Sequence, residues 1–327
     1  MKILVAGGAG YIGSHTVQEL LQEGFDPVIF DNFSSGKKEL VLGGEVIEAD
    51  LRDKGAIERI FRSRKIGAVL HFASLVEVGE SYRDPQKYYT HNLTSTLNLL
   101  EAMLNAGIKH FIFSSSAAVY GEPQQIPIPE THPLSPSNPY GITKYFVEKI
   151  LEDYERAYGM KFISLRYFNA AGADPEGRLG ELHDKETHLI PSILLSLLEA
   201  RRKFDVFGTD YPTPDGTAIR DYIHVTDLAK AHILALKKLT VLPQSEFINL
   251  GTNRGISVLE IIKITEEITG KKVEFGKKAK REGDVAVLLA SNEKAKQLLE
   301  WSPRQSDINT IIETAWNWHK ARASGKH

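Results

Sequence analysis

Tyr140 and Lys144 stand four residues apart in the stretch SNPYGITKYFVEKILEDYERAYG. On a helix that spacing puts a phenol and an ammonium on one face, one turn apart. A cation beside a phenol favours the phenolate, which makes Tyr140 a candidate general base near neutral pH. Surface pairs at this spacing are common, so the pair needs support from elsewhere in the chain. Ser116 provides it, because its hydroxyl follows the β-rich run HFIFSSS. Doubly wound sheets place their chemistry at the carboxyl ends of strands, so Ser116 is expected to orient a substrate hydroxyl beside Tyr140.

A second set of residues suits a dinucleotide. Glycines fall at 7, 10 and 13, after an apolar run and before a helical pattern. Glycine permits the tight turn and lets backbone approach a pyrophosphate, while the helix start offers free N–H groups to the phosphates. The acidic residue expected about 20 positions later is Asp31, in VIFDN. A carboxylate there takes both hydroxyls of the adenosine ribose and repels a 2′-phosphate, so NAD is expected over NADP. Asp50, in EADLRD, suits either the adenine amino group or the cap of the next helix.

These residues must be held by a frame. KILVAG, PVIFDN, GEVIEAD, GAVLHFA, HFIFSSS and KFISLRY read as strands, and residues 14–23, 54–62, 88–106 and 140–158 as helices. Short apolar strands alternating with helices predict an α/β fold: a doubly wound parallel (Rossmann) sheet with a smaller mixed α/β substrate-binding domain. The expected division is 1–172 for the dinucleotide domain, with 221–251 returning to it, and 173–327 for the substrate domain. Residues 172–188 read as a polar loop over a cleft and 189–201 as a helix. The segment VFGTDYPTPDGTAIRDYIHV reads mostly as turn. A helix over 225–239, the strand FINLG, a helix near 258–268, KVEFGK and a helical tail complete the chain, and ARASGKH reads as frayed.

Composition narrows the class. With 40 basic and 42 acidic residues among 327, bulk charge gives no reason to expect a nucleic-acid partner. The chain has no cysteine, which excludes disulfides, thiolate nucleophiles and cysteine metal sites and fits a reducing cytoplasm. No apolar run is long enough to span a bilayer, and MKILVAGGAG reads as a first buried strand. His183, Asp184 and His188 lie close together, but their spacing matches no zinc pattern, so no metal is expected. His224, in DYIHV, reads as a satisfied buried group.

Gly7, Gly10 and Gly13, the HFAS segment, Ser116, and Tyr140 with Lys144 together resemble the extended short-chain dehydrogenase/reductase family. SSSAAVYG, NPYGITK, LRYFNAAGADPEG, THLIP, VFGTDYPTPDGTAIRDYIHV and REGD are similar, in order and spacing, to its UDP-galactose 4-epimerase branch. The resemblance runs over nearly the whole chain, from Lys2 to Trp301. It implies NAD-dependent inversion at C4 of a UDP-hexose through a transient 4-keto sugar. Tyr140 would remove the 4-hydroxyl proton, Lys144 would bond the nicotinamide ribose, and Ser116 would contact the reacting hydroxyl. Hydride would pass from C4 to the cofactor and return to the other face.

The cofactor contacts so implied are Gly7, Gly10, Tyr11, Ile12, Gly13, Asp31, Asn32, Asp50, Leu51, Phe72, Ala73, Ser74, Asn92, Ser114, Tyr140, Lys144 and Tyr167. On the substrate side the resemblance implies Ser116, Tyr140, His188 and Leu189, with Asn169, Arg220 and Arg281 at the diphosphate. Phe207 would frame the uracil, Asp284 would meet the ribose, and Leu288 would gate the sugar's N-acyl group. Arg220 also fits a structural pair with Asp221, and Arg281 a solvated face in KKAKRE.

The chain departs from the pattern at Val76, where some relatives have Lys, and at His188, where others have Asn. Leu288 is intermediate between the bulky Tyr that excludes N-acetyl sugars and the small residues that admit them, which leaves UDP-GlcNAc and UDP-GalNAc open. A 4,6-dehydratase or decarboxylase of the superfamily is the alternative, as is a non-catalytic NAD-binding regulator. Dehydration needs carboxylates right after the strand-end Ser, and Ala117 and Ala118 cannot transfer protons. The resemblance also implies a homodimer through the helices near 88–106 and 140–158, with no nucleic-acid or membrane partner.

Overall fold

The computed structural model describes residues 1–199, 203–281 and 283–325. Arg201 of the expected helix, Glu282 of REGD and the last two residues of the tail lie outside them. Six strands open the chain: β1 (Lys2–Ala6), β2 (Asp26–Asp31), β3 (Glu45–Glu48), β4 (Ile66–His71), β5 (His110–Ser114) and β6 (Lys161–Tyr167). Between them run α1 (Tyr11–Gln22), α2 (Lys54–Ser63), α3 (Val78–Arg83), α4 (Pro85–Tyr88), α5 (Thr94–Asn105) and α6 (Pro139–Tyr158). A π-helical turn, Tyr89–Leu93, joins α4 to α5. Then follow β7 (Asn169–Ala171), α7 (Leu189–Leu198), β8 (Phe204–Phe207), β9 (Ile219–His224), α8 (Val225–Leu239) and β10 (Glu246–Leu250). The last elements are β11 (Gly255–Ser257), α9 (Val258–Thr269), β12 (Phe275–Lys278), β13 (Val287–Leu288), α10 (Glu293–Leu299) and α11 (Ile308–Ala323).

The large sheet has seven parallel strands in the order β10-β6-β5-β4-β1-β2-β3. Alternate residues of each strand serve opposite faces. Ile3, Val5, Leu70, Ile112 and Ile163 pack under Val17 and Leu20 of α1 and Leu228 and Leu236 of α8. Leu4, Val28, Val69, Phe111 and Phe162 pack under Ile57 of α2, Leu99 and Met103 of α5, and Val147 and Leu151 of α6. Each such side chain, taken fully out of water, contributes about 1.5–3 kcal/mol, which is why near-continuous apolar runs become these strands. This is the doubly wound α/β fold that the alternating pattern predicts.

The second lobe is built on β9, which pairs with β7, β11 and β13, and on the β8–β12 pair. The stretch expected to be mostly turn therefore ends in a central strand. Its local composition favours turns, but three partner strands from distant parts of the chain supply the hydrogen bonds. Residues 221–224 belong to this sheet. The chain returns to the large sheet through α8, which packs on α1, and β10. Among the described residues no helix is long and apolar enough to cross a membrane.

The helix that carries Tyr140 and Lys144 is sharply bounded. The Asn138 side chain accepts from Gly141 N, Pro139 occupies the first turn, and Gly159 ends the helix at φ 65°. Gly141 matters for placement, because a Cβ there would lie 2.6 Å from the Ala118 carbonyl oxygen. Its absence lets the first turn of α6 close onto the segment that follows β5.

Candidate active site

A cleft of about 390 Å³ opens along the large sheet, and strand order reverses between β1 and β4. Its lining brings together Gly7, Gly10, Tyr11, Ile12, Gly13, Asp31, Asn32, Asp50, Leu51, Phe72, Ala73, Ser74, Ser114, Ser116, Tyr140, Lys144, Tyr167, Asn169, His188 and Leu189. A crevice outside the carboxyl ends of the strands at such a reversal is where this fold binds ligands.

The glycines do different work. Gly7 has φ 82°, and a Cβ on it would lie 2.5 Å from Ala73 N. A Cβ on Gly13 would lie 2.1 Å from the Gly7 carbonyl oxygen, so Gly13 lets α1 pack onto the loop. Gly10 is the N-cap of α1 and has no side chain to satisfy the first-turn N–H groups. Those donors and the positive end of the helix are left for an anion. Tyr11 closes the loop from the other side, its hydroxyl donating to the Gly172 carbonyl at 2.6 Å.

Asp31 accepts from Ala9 N and Phe33 N, both at 2.9 Å, so it ties β2 to the glycine loop as well as facing the cleft. Burial raises its pKa. Asp50 accepts from Asn32 Nδ2 at 2.8 Å and from Arg52 Nε at 2.9 Å, and these bonds, the Arg52 guanidinium first, hold its carboxyl far below the ordinary range. Of the two roles open to Asp50, the helix cap falls to Asp53, whose side chain accepts from Ala56 N.

Ser116 stands beside the Tyr140 phenol in the cleft, and its hydroxyl accepts from Ala118 N at 3.1 Å. Burial pushes the Tyr140 phenol up, with Ser116 opposing it. Lys144 was expected to lower that pKa, but its ammonium turns toward the sheet and donates to the Ser114 carbonyl at 2.8 Å. It sits 5.8 Å from the centre of the Tyr140 ring and 5.0 Å from that of Phe113. Burial brings Lys144 down to about 7, opposed by Glu148. The Ser114 hydroxyl is bonded to that of Tyr167.

Asn92 is not among the cleft-lining residues. Its amide accepts from Leu75 N at 2.8 Å and donates to Thr143 Oγ1 at 3.0 Å, fastening the loop after β4 to α6. It does so from the π-helical turn, a local distortion that often accompanies functional sites.

Five residues expected on the substrate side form a separate group at the second lobe, outside the main cleft. Arg220 pairs with Asp284, which also receives the Tyr211 hydroxyl at 3.3 Å. The Arg220–Asp221 pair does not form, because neighbouring residues of β9 point to opposite faces. Asp221 is buried and accepts from Thr252 N, Asn253 N and Ala290 N. Arg281 is exposed and lies 4.2 Å over the Phe207 ring, so its guanidinium is stacked on one face and open to solvent. Leu288 pairs in register with Arg220 and packs against the cluster of Ala117, Val119, Tyr120 and Ile128. That packing puts it beside the segment that follows Ser116. Asn169 joins the two groups, lining the cleft while donating to the Asp221 carbonyl at 2.9 Å.

Sequence reasoning passed over Glu181 and Glu186. With His183 and His188 they form a cluster whose ligand atoms all lie within 4.8 Å of one another. His188 Nδ1 is 2.6 Å from Glu181 and His183 Nδ1 is 3.3 Å from Glu186, and both carboxylates are under 5% exposed. The carboxylates raise His183 to about 9, against its burial, and raise His188 well above its ordinary value. The carboxylates thus lie against both imidazoles and favour their charged forms. The pattern E-x-H-x-x-E-x-H was the available signal. His224 is buried, its Nδ1 accepting from Thr226 N at the start of α8.

The family described as NAD dependent epimerase/dehydratase matches residues 3–251. The chain is 48% identical to the UDP-glucose 4-epimerase of Rhizobium meliloti (strain 1021), over 99% of this chain and 98% of that one. Among solved structures it resembles UDP-glucose 4-epimerase from Brucella ovis in complex with NAD, with a TM-score of 0.94 and 45% identity over 97% of each chain. It also resembles the UDP-Glc/GlcNAc 4-epimerase from Campylobacter jejuni, with a TM-score of 0.84 and 39% identity, covering 98% and 99% of the two chains.

Proposed function

This chain belongs to the NAD dependent epimerase/dehydratase family, and on that premise we propose that it is an isomerase that inverts C4 of a UDP-hexose. The observation that carries the reading is that Tyr140 and Ser116 meet at the end of β5 in one cleft with Lys144 and the bare start of α1. The cleft fits NAD on its own chemistry. Tyr11 to Gly13, the first turn of α1, offer N–H groups with no partner inside the helix to a pyrophosphate, and Asp31 keeps acceptor capacity for ribose hydroxyls beside its two backbone bonds. NAD, when bound, supplies the acceptor that takes hydride from C4 and gives it back.

The chain's own residues do the rest. Ser116 holds the sugar hydroxyl at the phenol, and Tyr140 takes its proton and later returns one to the same C4 oxygen as C4 is reduced from its other face. Lys144 supplies the local positive charge that an oxyanion at Tyr140 requires. Arg220 and Arg281 are assigned to the diphosphate, because a planar guanidinium bonds phosphate oxygens in pairs, and Asn169 bridges them to the cleft. For Arg220 this means exchanging Asp284 for phosphate, which frees that carboxylate for a ribose hydroxyl. Ala117 and Ala118 offer no acid or base for loss of water from the neighbouring carbons, which argues against a dehydratase. The Campylobacter jejuni relative, a UDP-Glc/GlcNAc 4-epimerase, supports a second substrate pair, UDP-GlcNAc and UDP-GalNAc, which the intermediate leucine at 288 leaves open.

The same reading includes a homodimer. Leu97 on α5 and Phe146 and Tyr158 on α6 are 41%, 43% and 51% exposed, a set of large apolar side chains that a second copy would cover. A cytoplasmic setting goes with the cysteine-free chain. The test is proton NMR of the purified protein with UDP-galactose, and separately with UDP-N-acetylgalactosamine, adding no NAD. The C4 epimer of the first is expected, and the relative rates measure what Leu288 admits. A 4-keto-6-deoxy product would instead mean elimination, and no conversion even with added NAD would overturn the proposal.

A further inference from the structure

Glu148 lies one turn beyond Lys144 on α6 and is 1% exposed. Its Oε1 accepts from Ser115 Oγ at 2.8 Å, Ser164 Oγ at 2.8 Å and Arg166 Nε at 2.9 Å, and its Oε2 accepts from Arg166 Nη2 at 2.7 Å. Arg166 is 2% exposed, stacks on Phe247 at 4.6 Å, and donates to the Tyr120 hydroxyl at 3.0 Å. A buried ion pair of this kind is weak evidence for stability, since apolar replacements of the same volume are often neutral or stabilising. Its position suggests a different use. Ser115 lies between Ser114, whose carbonyl receives Lys144, and Ser116, which lines the cleft with Tyr140. The residues on both sides of Ser115 thus belong to a segment that Glu148 anchors to α6.

We infer that Glu148 is a positioning residue for the reaction: it fixes the end of β5 against α6 and holds Lys144 as an ammonium ion inside a buried site. The inference rests on the catalytic reading of Tyr140 and Lys144. The other groups facing Lys144 cannot do this. Tyr167 from β6 is pushed up by burial to a neutral phenol, and Tyr140, on the same helix and also pushed up by burial, is the base whose charge the ammonium serves. His71 from β4 is buried and drawn down to about 3, so it too is neutral. From β5 come the Ser114 carbonyl and the Phe113 ring, and from the π-helical turn and α5 come Asn92 and Thr96, none of them ionised. Glu148 is the carboxylate that raises Lys144 against the cost of burial, and Arg166 balances Glu148 from the far side.

The test measures Lys144 itself. Lysine 13Cε resonances are followed against pH in the NAD-loaded protein, with Lys144 assigned through Lys144→Met. The double variant Glu148→Gln/Arg166→Met removes both charges together, so that neither is left buried and unpaired. Its Lys144 midpoint is expected to fall by about one pH unit or more, with the alkaline limb of the turnover profile moving down in step. Glu148→Asp keeps the charge and the Arg166 pair but withdraws the carboxylate by one methylene, and is expected to shift the midpoint in the same direction by less. If the double variant does not fold, Glu148→Asp decides alone. An unchanged midpoint, with turnover lowered evenly at every pH, overturns the inference. Failure of the wild-type protein to epimerise would sink the catalytic reading instead, and the midpoint would still report on Glu148.

Discussion

Gly13→Ala and Gly10→Ala should separate two uses of glycine that look alike in the sequence. An alanine Cβ at 13 would meet the Gly7 carbonyl oxygen at 2.1 Å, with Gly7 C and Gly8 Cα at 3.0 Å. All three are backbone atoms, so no flexible side chain can move aside. Carbon and oxygen need about 3.3 Å between them, so α1 must back away from the loop by about 1 Å. That helix buries Val17 and Leu20 against the large sheet, and overpacking such a seam costs about 1–3 kcal/mol. For a chain of this size the cofactor-free protein should then melt lower by roughly 1.5 °C per kcal/mol. At Gly10 the nearest atom is 3.4 Å away and the backbone is extended, φ −78° and ψ 173°, so alanine fits the protein itself. Its methyl group would instead stand in the cleft where a pyrophosphate must approach. Gly10→Ala should therefore melt with the wild type when free of NAD but bind NAD about tenfold or more weakly, a loss of about 1.4 kcal/mol. Scanning fluorimetry of stripped protein and calorimetric titration with NAD separate the two. If the stripped Gly10→Ala protein melted as low as Gly13→Ala, or Gly13→Ala kept wild-type stability, the steric argument would be refuted.

Tyr140→Phe retains the ring and leaves Ser116 its bond to Ala118 N, so NAD content and melting temperature should survive. Turnover should fall about 10²–10⁴-fold, the usual worth of a positioned acid–base group, and turnover equal to wild type would remove Tyr140 from the mechanism. The histidine–glutamate cluster makes stability depend on pH. His183 is raised from 6.5 to about 9 in the folded protein, so its contribution is complete below about 6.5 and is lost as pH rises through 9. Melting temperature measured from pH 6 to 10 should decline across that window, and His183→Gln should flatten the decline; equal slopes would mean the cluster is not ionised as described.

Much of this protein was written in local pattern. The strands are apolar runs bounded by turn residues, and the helix of Tyr140 carries its own cap, proline and terminal glycine, so α/β alternation and the Tyr-x-x-x-Lys face were legible from spacing. So was the glycine loop, because its geometry needs particular residue types at particular places. What could not be read there depended on partners far away in the chain. The sequence left Asp50 two roles, and Asp53 takes one of them. Arg220 sits next to Asp221 in sequence, yet strand alternation turns them apart and Asp284, 64 residues on, becomes the partner. Asn92 fastens a loop to a helix through Leu75 and Thr143, partners 17 and 51 residues away. Lys144 reaches the Ser114 carbonyl, and Glu148 reaches Ser115, only because Gly141 lets α6 close on β5. Residue type and local period determine which elements form. Which charged group meets which depends on how those elements pack, since a side chain's pKa and partners are set by burial and neighbours that only the folded chain brings within a few ångströms.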